Sequence, residues 1–516
     1  MFAGSVPWRS GRELESQRKS GAVLLMPSPA RECPSASQVQ WFSLVWMMAF
    51  AAHYIDLAPR HSHLVILAFV AAPIFLAPTP TAPFLAFVVV STVLAFFELP
   101  SPANHMVLAL LVNAALLAAA LSTMRRRPGK PQGTSRLDGG SADWLRVARA
   151  PAALTLLTVY GFAVLHKLNW SFFDPVVSCA GEISAQAIAL TGLNIAIPGS
   201  VTIGLAIATL IVEALIPVLL VFASWRRFGI LFGVAFHALL GAAGFVDFAT
   251  FACAAYVLIA IDVVPLIPDG ERHRRRAMFA WGAFLVCAAL DALVVGSTGH
   301  HLPGRHQLLF VCWILGLIWL MTPLLKTMWA RAPRHESPVW HMQSAWFAVI
   351  PLLALLNGMG PYLGFKTTST FSMFSNLRTE EGRSNQMIRP LASLEVTSWM
   401  RDPVDVFAFK LAIEPQLNLW GRLRGGYSSL WNGSRWIDTA GTTPVRVPWI
   451  ELRRTVVRWK DAGVTGMSIG YRRHGVTRFV SDAMNDPELA APLPWWTRWF
   501  VAFRDIETGN AVRCRW

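Results

Sequence analysis

From Trp41 to Leu363 the chain returns again and again to unbroken apolar stretches of membrane-spanning length, and that recurrence leaves few folds open to it. The stretches run from Trp41 to Leu57, Leu64 to Ala77, Phe84 to Phe97 and Met106 to Leu121. They continue from Ala152 to Leu168, Val201 to Ala223, Phe228 to Phe245 and Phe248 to Leu266. Three more follow: Met278 to Val295, Leu308 to Leu325 and Trp346 to Leu363. Hydrocarbon offers no water to bond backbone N–H and C=O groups, so each stretch must close its own hydrogen bonds as a helix. The expected fold is an all-α polytopic membrane helix bundle of about eleven transmembrane helices, followed by a small C-terminal α+β soluble domain. The second and third stretches are short, and Pro73, Pro78, Pro80 and Pro83 also allow residues 64–97 to form a re-entrant pair. Either arrangement keeps the same parity.

Charge is arranged to match. Of 516 residues, 54% are hydrophobic and only 15% charged, against roughly 25% charged in a soluble domain. The net charge of +15 does not point to nucleic acid, because Arg and Lys sit in short clusters between apolar runs. That is the pattern of membrane topology and of contact with anionic head groups. Connections containing Arg125-Arg126-Arg127-Lys130, Arg226-Arg227, Arg272 with Arg274-Arg275-Arg276, and Lys326 with Arg331 and Arg334 alternate with basic-poor connections. The first set is therefore expected inside. The stretches around Asp174 and Glu182, around Asp247, from Ser297 to Arg305 and everything after Leu363 then fall outside. Residues 1–39 are polar and basic with no cleavable signal pattern, so the first apolar helix is expected to direct insertion and the N-terminus to stay cytoplasmic. This divides the chain into a cytoplasmic tail (1–39), a transmembrane domain (40–363) and an extracytoplasmic domain (364–516) in a cell (inner) membrane. Pro128 to Ser141 reads as a flexible cytoplasmic loop.

The tail abandons the spanning pattern. Leu394 to Trp399 and Val406 to Leu411 alternate like strands, an amphipathic helix follows Pro448, and a strand pair turns around Arg472-Arg473-His474-Gly475.

An ionisable side chain inside a span costs a few kcal/mol, so each one asks for a partner, a cavity or a function. The candidates are His53, Asp56, His166, Lys167, Glu213, His237, Asp262 and Asp291. Asp56 and Asp262 lie near helix ends, where water or head groups solvate them, and Asp291 has no sequence-local partner. Lys167 closes the fifth span; it is either a desolvated general base or a lysine snorkelling to the outer head groups. Glu213 lies mid-span four residues before Pro217, which suits a kink partner, and His237 lies mid-span among apolar neighbours, which suits packing. The six cysteines contain no Cys-x-x-Cys pair, so neither a zinc site nor a redox motif is indicated. His300, His301 and His306 have plausible ligand spacing, but a hydrated loop accounts for them and no metal site is assigned. Cys179 and Cys514 both fall on the oxidising side, where one open pairing is a disulfide tying the outer domain to the loop after the fifth span.

Lys167-Leu168-Asn169 near the outer end of a span, a carboxylate on the next span, and His237 followed by Phe248, Phe251 and Tyr256 together resemble the HTTM (horizontally transferred transmembrane) domain family, which includes the vitamin K-dependent γ-carboxylase. The resemblance covers about Gln40 to Leu325. A second segment, Gly364-Phe365-Lys366-Thr367 through Met373-Phe374-Ser375-Asn376-Leu377-Arg378-Thr379-Glu380, is similar to one in bacterial members. The resemblance implies that Lys167 is a catalytic base, that His237 belongs to the active site, and that the cofactor is a reduced quinone entering from lipid. Glu213 would support the cavity. No counterpart of the carboxylase's large lumenal region is present, so glutamate carboxylation is one of two implied functions. The other is a non-catalytic membrane component that binds a peptide or protein at its outer face. Close packing of Lys167, His237 and Glu213 around one cavity favours the enzyme, whereas scattered lipid-facing positions favour the binder.

Overall fold

The computed structural model describes residues 36–55, 61–76, 81–125, 143–193, 195–261, 305–330, 339–411, 444–509 and 512–514, with isolated positions 279, 282 and 286. Asp56, Asp262, Asp291, His300, His301, Cys33, Cys287 and the basic loop positions 126–130, 272–276, 331 and 334 lie outside the described residues, as does the side chain of His306. The helices are α1 (Ala36–Ile55), α2 (His61–Leu76), α3 (Thr81–Phe96), α4 (Asn104–Arg125), α5 (Asp143–Lys167), α6 (Cys179–Leu190), α7 (Gly199–Val221), α8 (Arg226–Ala242), α9 (Val246–Ile259), α10 (Arg305–Ala330) and α11 (Val349–Leu363). Among the described residues, five are long and apolar enough to cross a membrane: α4, α5, α7, and the stretches Val311–Ala330 and Ala345–Leu363. Apolar runs in the sequence suggest about eleven spans, and several of the corresponding helices are short, although α1 has 20 residues. α2, α3 and α9 have 16, 16 and 14 residues, and the expected span from Met278 to Val295 falls outside the described residues.

The helices are apolar on both sides, as lipid-facing helices are. On α7, Ile207, Ile211 and Val218 face outward, while Ala206, Glu213 and Leu220 are buried against the bundle. With no hydrophobic gain from helix pairing in lipid, polar hooks and small residues join the spans. Trp46 Nε1 donates to Asn113 Oδ1 at 2.9 Å, Asn113 Nδ2 to Thr92 Oγ1 at 3.0 Å, and Trp313 Nε1 to Thr250 Oγ1 at 2.7 Å. At the crossing of α11 on α5, a Cβ on Gly358 would stand 2.1 Å from Phe162 Cδ2, so only glycine lets the two helices approach this closely.

The tail folds as a small α+β module. Strands β1 (Pro403–Leu411), β2 (Val445–Pro448), β3 (Met467–Arg473) and β4 (Val476–Val480) form one antiparallel sheet in the order β2-β1-β3-β4. Helix α12 (Trp449–Asp461) follows Pro448 and buries Leu452, Val456 and Trp459 against that sheet. His474 and Gly475 join β3 to β4 with φ of 51° and 80°, the left-handed pair a two-residue hairpin needs. The helix after Pro448, the hairpin around Gly475 and strand 406–411 match the sequence reading; the strand expected over Leu394 to Trp399 is absent. Pro390 instead opens a 3-10 turn (Arg389–Ser393), and the following residues lie over the end of α11, where Val396 N donates to Leu363 O and Thr397 Oγ1 to Gly364 O. Pro34 to Trp516 form one compact unit.

Candidate functional site

α5 is buried on nearly every side and carries Lys167 as its last residue, only 2% exposed. Lys167 Nζ lies 2.8 Å from Glu213 Oε2 and donates to Glu213 Oε1 at 3.1 Å, with Ala163 O at 3.5 Å. The lysine therefore does not snorkel; it is held inward by a carboxylate from α7. Pro217 has no N–H for the carbonyl of Glu213, so the proline loosens the backbone at the turn that presents this carboxylate. The sequence reading of Glu213 as a kink partner did not include its ion pair with Lys167.

His237 on α8 is 1% exposed. Its Nδ1 lies 2.8 Å from Gly233 O, and because a carbonyl only accepts, Nδ1 carries the proton and Nε2 is left as the acceptor. The Tyr160 hydroxyl stands 3.5 Å from the ring and makes a short hydrogen bond with the Tyr256 hydroxyl. A Cβ on Gly233 would lie 2.2 Å from the Tyr256 oxygen, so glycine makes room for the two tyrosines beside the histidine.

Lys167, Glu213, His237 and Tyr160 line one cavity of about 490 Å³. Apart from Ser184 and Thr209 the rest of its wall is apolar, from α4 to α9, with Ile183 and Ile188 of α6 along one side and Phe248 against the His237 ring at 5.2 Å. The three residues singled out from sequence thus converge. His166 does not join them: it packs between Phe162 and Tyr362, each at 5.4 Å. His53 lies in a different cluster, with Glu98, His105 and Asp247.

Sequence reasoning missed the cover. Met373 and Phe374, from the segment after α11, complete the cavity wall. That segment holds Ser369, Phe371, Phe374 and Asn376 at φ of 60°, 61°, 54° and 54°, a left-handed conformation that costs non-glycine residues of order 1 kcal/mol each. Contacts from every side hold it there. Ser369 Oγ donates to Pro102 O, and Phe371 N donates to Asn104 Oδ1 at 2.6 Å. Asn376 Nδ2 reaches Val177 O at 2.7 Å and Val512 O at 2.8 Å, while its Oδ1 accepts from Cys179 N at 2.9 Å. Arg504 closes the far side on Glu380 at 3.3 Å. Asn169, two residues past Lys167, accepts from Phe172 N at 2.9 Å and donates to His166 O at 2.7 Å and to Ser375 O, so the Lys-Leu-Asn segment ties the catalytic candidate to the cover. Polar residues scattered through a tail give no periodic signal, which is why this cover was legible only as a family marker.

Cys179 and Cys514 form a disulfide with Cα atoms 4.7 Å apart, joining the start of α6 to the C-terminal strap beside the cover. Cys253 is a buried free thiol. No family model, curated protein or solved structure matches this chain.

Proposed function

We propose that this chain is a multi-pass membrane enzyme of HTTM type, with about eleven spans, a cytoplasmic N-terminus and an outer C-terminal domain, that carries out carboxylase-like chemistry in the cavity around Lys167. The observation carrying the proposal is the convergence of Lys167, Glu213 and His237 on one largely apolar cavity. A buried ammonium and carboxylate can exchange a proton and leave a neutral amine beside a neutral acid, so the pair acts as one proton-handling unit. In that state the Lys167 amine can accept a proton from an acidic O–H in the cavity, such as that of a quinol, and Glu213 holds the second proton. His237, fixed by Gly233 O, presents Nε2 to the cavity as an orienting acceptor or, once protonated, as a stabiliser of developing negative charge.

The wall also suits a reduced quinone, which has a flat apolar body and polar hydroxyl edges: Phe236, Phe248 and Leu240 offer the apolar surface, and Tyr160 and His237 the polar contacts. Bound there, such a group would supply an acidic hydroxyl for Lys167 to deprotonate and, with molecular oxygen as the oxidant, the driving force for removing the substrate C–H proton. Met373 and Phe374 shield the amine from water, which keeps its proton transfers within the site.

A second reading, a non-catalytic component that binds a peptide or protein outside, rests on β4. This edge strand exposes Phe479 by 75% and Val476 by 61%, a template for strand addition. The two readings separate in one assay. Purified protein given a reduced quinone, molecular oxygen, labelled carbon dioxide and a glutamate-containing peptide should place label in the peptide if the enzyme reading holds; no label over the no-quinol control would leave the binder.

A further inference from the structure

At the end of the bundle that the charge pattern places outside, four side chains from separate parts of the chain meet. His53 closes α1, Glu98 follows α3, His105 lies in the first turn of α4 and Asp247 in the first turn of α9. His53 Nδ1 lies 2.8 Å from His105 Nε2 and 3.5 Å from Asp247 Oδ2, and His105 Nε2 lies 3.1 Å from the same oxygen. Hydrogen bonding serves this triangle poorly. A proton on His105 Nε2 can point at the other histidine or at the carboxylate, not at both: in the first case His53 Nδ1 accepts and offers Asp247 nothing, and in the second the two ring nitrogens stand 2.8 Å apart with no proton shared between them. A cation serves all three edges at once: corners 2.8, 3.1 and 3.5 Å apart are capped by a point about 2.1 Å from each, the bond length of imidazole and carboxylate to a first-row transition metal.

The surroundings are those of a metal site. The other nitrogen of His53 faces Glu98 at 3.1 Å, the carboxylate–histidine arrangement that fixes a ligand's tautomer and raises its basicity. The second oxygen of Asp247 is taken by Phe248 N at 2.7 Å, which leaves Oδ2 alone to coordinate. His53 and His105 are buried, His105 lies against the Phe251 ring at 5.6 Å, and the Asp247 side chain is 25% exposed, so an ion has an entry path. We infer that His53, His105 and Asp247 bind a divalent first-row transition metal, with Glu98 orienting His53. Two imidazoles and one carboxylate select zinc, iron or manganese over calcium or magnesium, and three protein ligands leave a position for water. The metal joins α1, α4 and α9 and lies one ring from the cavity, since Phe248 adjoins both His105 at 6.5 Å and His237 at 5.2 Å. This inference does not depend on carboxylase chemistry.

The test is cobalt titration of the full chain, purified in detergent and stripped with chelator. One equivalent of Co²⁺ should give visible d–d bands and raise the melting temperature. Glu98→Gln should weaken binding by about 10–100-fold, and His53→Ala with His105→Ala should abolish the bands. Asp247→Cys keeps a donor at that position and should add a thiolate-to-cobalt charge-transfer band, which a merely structural aspartate would not produce. Absence of d–d bands in the wild-type protein, or bands that survive the double alanine variant, would overturn the inference; the wild-type titration decides the matter even where a variant fails to fold.

Discussion

Lys167 Nζ and Glu213 Oε2 stand 2.8 Å apart, one at the end of α5 and the other in the middle of α7, and both side chains are less than a tenth exposed. Two charges removed from water this completely persist only because each neutralises the other. The pair therefore links two spans, and it puts a titratable amine into an apolar cavity.

The stability of that link is measurable. Glu213→Gln leaves the Lys167 ammonium without its counter-charge and should destabilise the protein by about 3–5 kcal/mol. Lys167→Met combined with Glu213→Leu removes both charges, fills similar volume and should recover most of the loss. Reversible denaturation of the detergent-solubilised variants reads both values; a double variant as unstable as the sum of the singles would contradict the pairing.

The Cys179–Cys514 bridge closes a loop of sequence separation 335 and anchors the strap beside the cavity cover. Cys179→Ser should lower stability by about 2–5 kcal/mol. Protein isolated without reductant should yield one cross-linked peptide containing both cysteines, and free thiols at both positions would contradict the bridge. A formed bridge also requires both residues on an oxidising side, so thiol labelling from the two faces of the membrane checks the expected topology at the same time.

Lys366, just past α11, packs its side chain over Gly360, and burial lowers its ammonium from the ordinary 10.5 to about 8. The unfolded chain then holds a proton that the folded chain has released between those values. Stability should rise as pH increases from about 8 to 10.5 and be insensitive to this group below 8. Lys366→Met should be more stable than wild type at pH 7 and should lack the rise; an unchanged pH profile in that variant would remove Lys366 as its source.

How much of this was readable without coordinates depends on the kind of signal. Apolar runs of α4, α5 and α7 and the amphipathic pattern of α12 are local, and sequence located them. Helix lengths such as the 14 residues of α9 are set where the chain turns, and hydropathy overestimates them. Lys167, Glu213 and His237 could be singled out because charge and imidazole are conspicuous in apolar spans, but their meeting depends on how α5, α7 and α8 cross. Tyr160 gave no such signal, since tyrosine is ordinary in a buried helix, and Tyr256 stood out only within the family resemblance. His105 and Asp247 were hidden because each sits at a helix start, where a polar residue needs no explanation until His53 and Glu98 are found beside it.

The central claim is that Lys167 handles a proton in chemistry, and Lys167→Arg tests it most directly. Arginine keeps the positive charge and can still pair with Glu213, but its guanidinium remains protonated and cannot accept a proton. With quinol-dependent labelling of a glutamate peptide as the readout, the variant should fold and insert as wild type does while losing activity by orders of magnitude. A Lys167→Arg protein with full activity would show that Lys167 is not the base.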